Sequence, residues 1–106
     1  MNEADFNLKV EKTLSRIEQA VEESGADIEF ENAGDILTLE FTDGSKVIVN
    51  KQGAAAQIWV AAKSGGYHYG YQEACDQWVN DQSGTELFVE LSRIISQQAR
   101  KPVRIV

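Results

Sequence analysis

One cysteine (Cys75), one proline (Pro102) and one histidine (His68) are all that 106 residues supply of those types. A lone thiol forbids an internal disulfide framework and fits a reducing cytoplasm. Cys75 has no CxxC partner and no basic run beside it, so it reads as a bystander. A lone imidazole excludes a multi-histidine metal cluster. His68, in Tyr67-His68-Tyr69, is either an ordinary strand residue or a single metal ligand. No apolar run approaches the roughly 20 residues that cross a membrane. The start, Met1-Asn2-Glu3-Ala4-Asp5, lacks the basic and apolar regions of a signal peptide. No phosphate loop, GxSxG or HExxH is present, and nothing pairs a nucleophile with a base, which argues against an enzyme. Basic residues are also scarce, ten against seventeen acids with pI about 4.6. Phosphate backbones need Lys and Arg, so nucleic acid is a poor partner; cations and basic protein surfaces are better ones. The length suits a single domain over residues 1–106 with one core.

The charge is local. Residues 1–35 hold ten acids and three bases (Lys9, Lys12, Arg16), which is −7, the whole formal charge; residues 36–106 hold seven of each. Seven of the acids, Glu11, Glu18, Glu22, Glu23, Asp27, Glu29 and Glu31, fall between residues 11 and 31.

Apolar spacing predicts the elements. Phe6, Val10, Leu14, Ile17 and Val21 recur at helical spacing over residues 3–23. Asn2 resembles the start of a capping box, and Gly25 suits a left-handed helix end. Residues 27–31 alternate as a strand, with Ile28 and Phe30 on one face and Asp27, Glu29 and Glu31 on the other. Asn32–Asp35 reads as a turn. A second strand over 36–42 turns Leu37, Leu39 and Phe41 inward. Asp43-Gly44 makes a hairpin to a third strand over 46–50, with Val47 and Val49 inward. A fourth strand is expected over 57–62, a break at Ser64-Gly65-Gly66, and short strands at Tyr67–Tyr69 and Gln77–Val79. Ser83-Gly84-Thr85-Glu86 reads as a capping box opening a helix through about residue 99, with Leu87, Phe88, Leu91, Ile94 and Ile95 on one face. Pro102 stops that helix, and Val103–Ile105 reads as an extended tail along the core. Helix, six antiparallel strands and helix imply an α+β two-layer sandwich with both terminal helices on one sheet face. The other sheet face stays free. Trp78 reads as core. Trp59 belongs either to the core or to the free face among Asn50, Lys51, Gln52 and Gln57, where an exposed Trp would be an interaction hot spot.

At about 100° per residue, Glu11, Glu18 and Glu22 fall within about 40° of one another, with Lys9, Lys12 and Arg16 on the opposite flank. Asp27, Glu29 and Glu31 form a second row, and a helix packed at the sheet edge would set the two rows side by side. The plain alternative is a solvated acidic face. Against it, Glu22 and Glu23 lie at the negative end of the helix dipole, which costs roughly 0.3–1 kcal/mol each. Glu18 and Glu22 are a like-charge i,i+4 pair. Carboxylates alone favour hard cations such as Fe²⁺, Fe³⁺, Mn²⁺, Ca²⁺ or Mg²⁺, bound weakly at the surface.

Several blocks resemble the frataxin family. They are the acidic first helix, Gly34–Phe41, Asp43-Gly44-Ser45-Lys46, Val49-Asn50-Lys51-Gln52 followed by Gln57-Ile58-Trp59, and, as in the bacterial branch, Ser64–Tyr69, Trp78 and Asp81–Gly84. The resemblance spans nearly the whole chain in order. It implies the frataxin sandwich, a non-enzymatic role in iron–sulfur cluster assembly, and weak iron binding by an acidic ridge. By position the ridge is Glu11, Glu18, Glu22, Glu23, Asp27, Glu29 and Glu31. Asn50, Gln52, Gln57 and Trp59 would bind a partner, the implied partners being a cysteine desulfurase and the cluster scaffold. The chain departs from the family pattern at Asn7, Gln19, Ser24, Gly53–Ala56 and the long Gly70–Gln77 stretch. The resemblance suggests first a regulator of the desulfurase, a cytoplasmic monomer able to form metal-induced oligomers. An iron metallochaperone or store comes second, and a ferroxidase third.

Overall fold

The computed structural model describes residues 1–106. Helix α1 runs Glu3–Glu23 and is followed by strands β1 Glu29–Ala33, β2 Ile36–Glu40, β3 Lys46–Gln52, β4 Gln57–Ala62, β5 Gly65–Gln72 and β6 Gln77–Asn80, then helix α2 Leu87–Ala99. The six strands pair in chain order, every neighbour antiparallel. Both helices pack their apolar stripes on one face of this meander, as the α+β reading expects. Phe6, Val10, Leu14, Ile17 and Val21 of α1 and Leu87, Leu91, Ile94 and Ile95 of α2 are buried against Leu37, Leu39, Val47, Val49, Ile58 and Val60. Trp78 is in this core, its indole Nε1 donating to Thr13 Oγ1 at 2.9 Å.

The boundaries differ from the sequence expectation where side chains or tight turns take over. Ile28 N donates to Ala26 O, which delays β1 to residue 29. The strand then runs to Ala33, and the expected four-residue turn shrinks to Gly34-Asp35, with Gly34 at φ 69°. Gly65 and Gly66 do not break the chain. They open β5 and pair with Ala62 and Ala61, and the turn is Lys63-Ser64. Gly65 reaches this pairing at φ 142°, where a side chain would be strained. Ser83 does not cap α2. Asn80 claims that loop, its Oδ1 accepting from Gln82 N at 2.8 Å and Ser83 N at 3.1 Å. Glu86 caps instead, accepting from Phe88 N at 2.8 Å and Val89 N at 3.1 Å.

The tail follows its expected course. Arg100 leaves α2 in the left-handed conformation, and Ser96 Oγ and Ser92 Oγ accept from Val103 N and Ile105 N, both at 2.9 Å. Those bonds satisfy the extended backbone and let Val103 and Ile105 enter the core.

Candidate functional site

The pleat of β1 decides where the carboxylates go. Phe30 pairs with buried Leu39 and Asn32 with buried Leu37, so both point to the helix layer. Glu29, Glu31 and Ala33 therefore point the other way, onto the free face, opposite Glu40, Thr38 and Ile36. Helix row and strand row do not lie side by side. The edge strand separates them, and Asn32 bridges from β1 to the helix row, its Nδ2 donating to Glu18 Oε2 at 2.6 Å. This corrects the expectation of two adjacent rows. Its reason is the two-residue alternation of a strand, which sends Asn32 and Glu31 to opposite faces. Nowhere do three His, Cys, Asp or Glu side chains converge in a way that could hold a metal ion. Glu22, Glu23, Asp27, Glu29 and Glu31 are all exposed and Glu18 is half-buried. The ridge is a field of separate carboxylates. Carboxylate oxygens are donors of the kind hard cations take.

One end of the ridge carries its own cation. Lys51 was expected on the free face but points to the helix side, because it pairs with buried Ile58. Its Nζ lies 3.4 Å from Asp35 Oδ1 and 3.2 Å from Asn7 Oδ1. With Glu11 and Asn32 these residues line a cavity of about 430 Å³ between α1 and the β1–β2 turn.

The free face carries the other candidates. Register aligns Ile36, Asn50, Trp59 and His68 across β2, β3, β4 and β5. Trp59 is therefore a surface residue. Its ring stacks on the His68 imidazole, with centroids 4.2 Å apart and planes 14° from parallel. Its Nε1 donates to Gln57 Oε1 at 2.8 Å, and Gln57 Nε2 donates to Asp81 Oδ2 at 3.1 Å. That same Asp81 oxygen is 4.0 Å from His68 Nδ1. Trp59 is thus held from both sides. Gln52 Nε2 reaches Asn50 Oδ1 at 3.5 Å, the outer limit of a hydrogen bond. Ile36, 42 % exposed, adds an apolar edge. Along the chain His68 was weighed only as a strand residue or a single metal ligand, and Asp81 and Ile36 were not singled out for this face. Cross-strand register was the missing signal, and the Tyr67-His68-Tyr69 alternation already placed His68 opposite the core-facing tyrosines. Since Glu29 and Glu31 lie on this same face, it runs from an acidic edge at β1 to the Trp59–His68 stack.

A second set escaped sequence reading because it is buried. Glu90, 7 % exposed, accepts from Tyr69 Oη at 2.6 Å and Asn80 Nδ2 at 2.7 Å on one oxygen, and from Arg93 at 3.4 Å on the other. Burial by itself raises the Glu90 pKa, but these donors more than offset it and leave it lowered. The Tyr69 hydroxyl is pushed up, first by burial and then by its bond to Glu90. This network locks β5, β6 and α2 together.

A two-layer sandwich with an exposed carboxylate ridge and an uncovered aromatic sheet face defines a protein built to bind at its surface. The family model described as a frataxin-like domain matches residues 1–101. The iron-sulfur cluster assembly protein CyaY of Paraburkholderia phymatum is 43% identical over 105 residues, covering 99% of this chain and 98% of the relative. That of Vibrio cholerae serotype O1 is 42% identical over 103 residues, covering 97% of each. The solved structure of Psychromonas ingrahamii frataxin superposes with a TM-score of 0.92 at 36% identity, covering 100% of this chain and 99% of that one. Trimeric frataxin of Saccharomyces cerevisiae, solved in complex with ferrous iron, is 26% identical with a TM-score of 0.67, covering 95% of this chain and 88% of that one. The chain belongs to the frataxin family, in its bacterial CyaY branch.

Proposed function

We propose that this protein serves iron–sulfur cluster assembly as a non-enzymatic, iron-responsive regulator that binds a cysteine desulfurase and its scaffold. The observation that carries this reading is the placement of Glu29 and Glu31 on the same sheet face as Asn50, Gln57 and Trp59. A partner lying on that face meets carboxylates at the β1 edge and a fixed aromatic further in, on β4. It needs a basic patch for the first and an apolar pocket for the second. The helix row, Glu11, Glu18 and Glu22, stands beyond β1 and is left to hold iron while the partner is docked. Iron on Glu22, Glu23 and Asp27 lowers the negative field at the β1 edge and so weakens attraction to a basic partner. The yeast relative solved with ferrous iron and the curated names of the bacterial relatives support this assignment.

The test is an NMR titration of the protein with Fe²⁺ under anaerobic conditions and, separately, with purified desulfurase. Fe²⁺ is expected to broaden α1 and the α1–β1 connection, and the desulfurase to shift β1, β3 and β4. Combined reversal of Glu29 and Glu31 to Lys should weaken desulfurase binding and leave broadening at Glu18 and Glu22 in place. Undiminished desulfurase binding by that variant would sink the two-surface reading.

A further inference from the structure

A groove on the far side of α1 from the ridge collects cations that the reading above does not use. Lys9, Lys12 and Arg16 of α1 and Arg104 of the tail line it, with Tyr71 and Phe88 in its walls. Lys9, Lys12 and Arg16 are every basic residue of the first 35, so the most acidic third of the chain turns all its positive charge to this one place. Two of the cations are held by aromatic rings. The Arg16 guanidinium lies 4.3 Å from the Phe88 ring centroid, and Lys9 Nζ lies 5.0 Å from that of Tyr71. A stacked guanidinium loses rotamer freedom, and its N–H edge remains able to donate.

Two acids, Asp76 and Glu86, also line the groove and offset part of this charge. Asp76 is taken by Lys9 at 3.1 Å, and both oxygens of Glu86 are taken by the first amides of α2. No carboxylate lies within 4.0 Å of a nitrogen of Lys12, Arg16 or Arg104. The volume is about 790 Å³, inside the range of about 300–1,000 Å³ typical of small-molecule sites. A polypeptide segment would need a longer trough.

We infer that this groove binds a small organic or inorganic oxyanion carrying two or more negative charges. Arg16 and Arg104 supply paired N–H donors and Lys12 a point charge. Because the α2 amides are already capped by Glu86, the ligand is read by side chains. Such binding weakens with salt. Two sources share this chemistry, polycarboxylates and polyphosphates, and citrate and pyrophosphate represent them.

The experiment titrates each anion into the metal-free full chain, following amide resonances and the Trp78 indole N–H, which is bonded to Thr13 in the groove wall. Shifts are expected at Lys12, Arg16, Phe88 and the Trp78 indole. Binding of citrate alone assigns the carboxylate class, binding of pyrophosphate alone the phosphate class, and binding of both a site that reads charge. Arg16→Gln and Arg104→Gln should each weaken binding by about tenfold, the loss of one charge-assisted bond. Arg104 is exposed on the tail, so its variant reports even where loss of Arg16 disturbs Phe88. Lys46→Gln, at an exposed position in β3, is the control and should bind as the parent does. The inference is overturned if neither anion moves the Trp78 indole, or if Lys46→Gln weakens binding as much as the arginine variants.

Discussion

Glu90 should make the stability of the fold depend on pH, and replacing it should remove that dependence and so identify a charge at the heart of the fold. Glu90 Oε1 receives both the Tyr69 hydroxyl and the Asn80 amide, and Oε2 faces Arg93 at 3.4 Å. Glu90→Gln keeps an acceptor for the first two donors but removes charge assistance from both and sets an amide N–H₂ against Arg93. With charged bonds worth about 1 kcal/mol more than neutral ones, the loss is about 2 kcal/mol. Glu90→Ala strips the acceptor altogether and leaves two buried donors unmet, about 4 kcal/mol. The sign follows from the lowered pKa. The folded protein holds the Glu90 carboxylate more readily than the unfolded chain, whose reference is 4.5. The ionised group therefore contributes its stability fully above the unfolded value and loses it as pH falls through the folded one. In urea unfolding, parent and Gln variant should differ by the full amount at neutral pH and converge in acid, where a protonated Glu is nearly isosteric with Gln. A gap of equal size at about pH 3 and about pH 7 would refute the idea that charge is the source.

Other substitutions separate folding from function. Lys at both Glu22 and Glu23 removes two anions from the negative end of α1, which has no basic residue in its last turn. Thermal unfolding should show a gain of about 0.3–1 kcal/mol per site while Fe²⁺ broadening in the α1–β1 connection fades, and a loss of stability would show that those carboxylates serve the fold. Thr13→Val leaves the buried Trp78 indole N–H without its acceptor. This should cost about 1–3 kcal/mol by denaturant titration, and a neutral result would mean that water or a shifted indole restores the bond.

The patterns legible along the chain were those that repeat within one element. Helical spacing identified the faces of α1 and α2, and alternation identified Leu37, Leu39, Val47 and Val49 as core, because burial of one face imposes a period on local sequence. The local excess of carboxylates, and the dipole argument that sets Glu22 and Glu23 apart, also needed no coordinates. Contacts between elements were not legible. Asn80 reorganises the loop that Ser83 seemed poised to cap, and Glu90 looks like any helical glutamate until Tyr69 and Asn80 close on it. Register turns Lys51 to the helix side and decides for Trp59 between the core and the free face, both open along the chain, since a shift of one residue flips a side chain to the other face.

The sequence by itself determined that this protein has two amphipathic helices, a meander of strands and one concentrated negative charge. Spacing and composition are properties of the chain alone, and each is enough to impose local structure and a local field. Only the tertiary structure decided that β1 divides the carboxylates between two faces, that Trp59 lies stacked on His68 beside one of those groups, and that the three cations of α1 open on a groove with Arg104. Those outcomes depend on which strand edge meets which helix and in what register. That choice is made by packing the whole core, with no single segment able to express it.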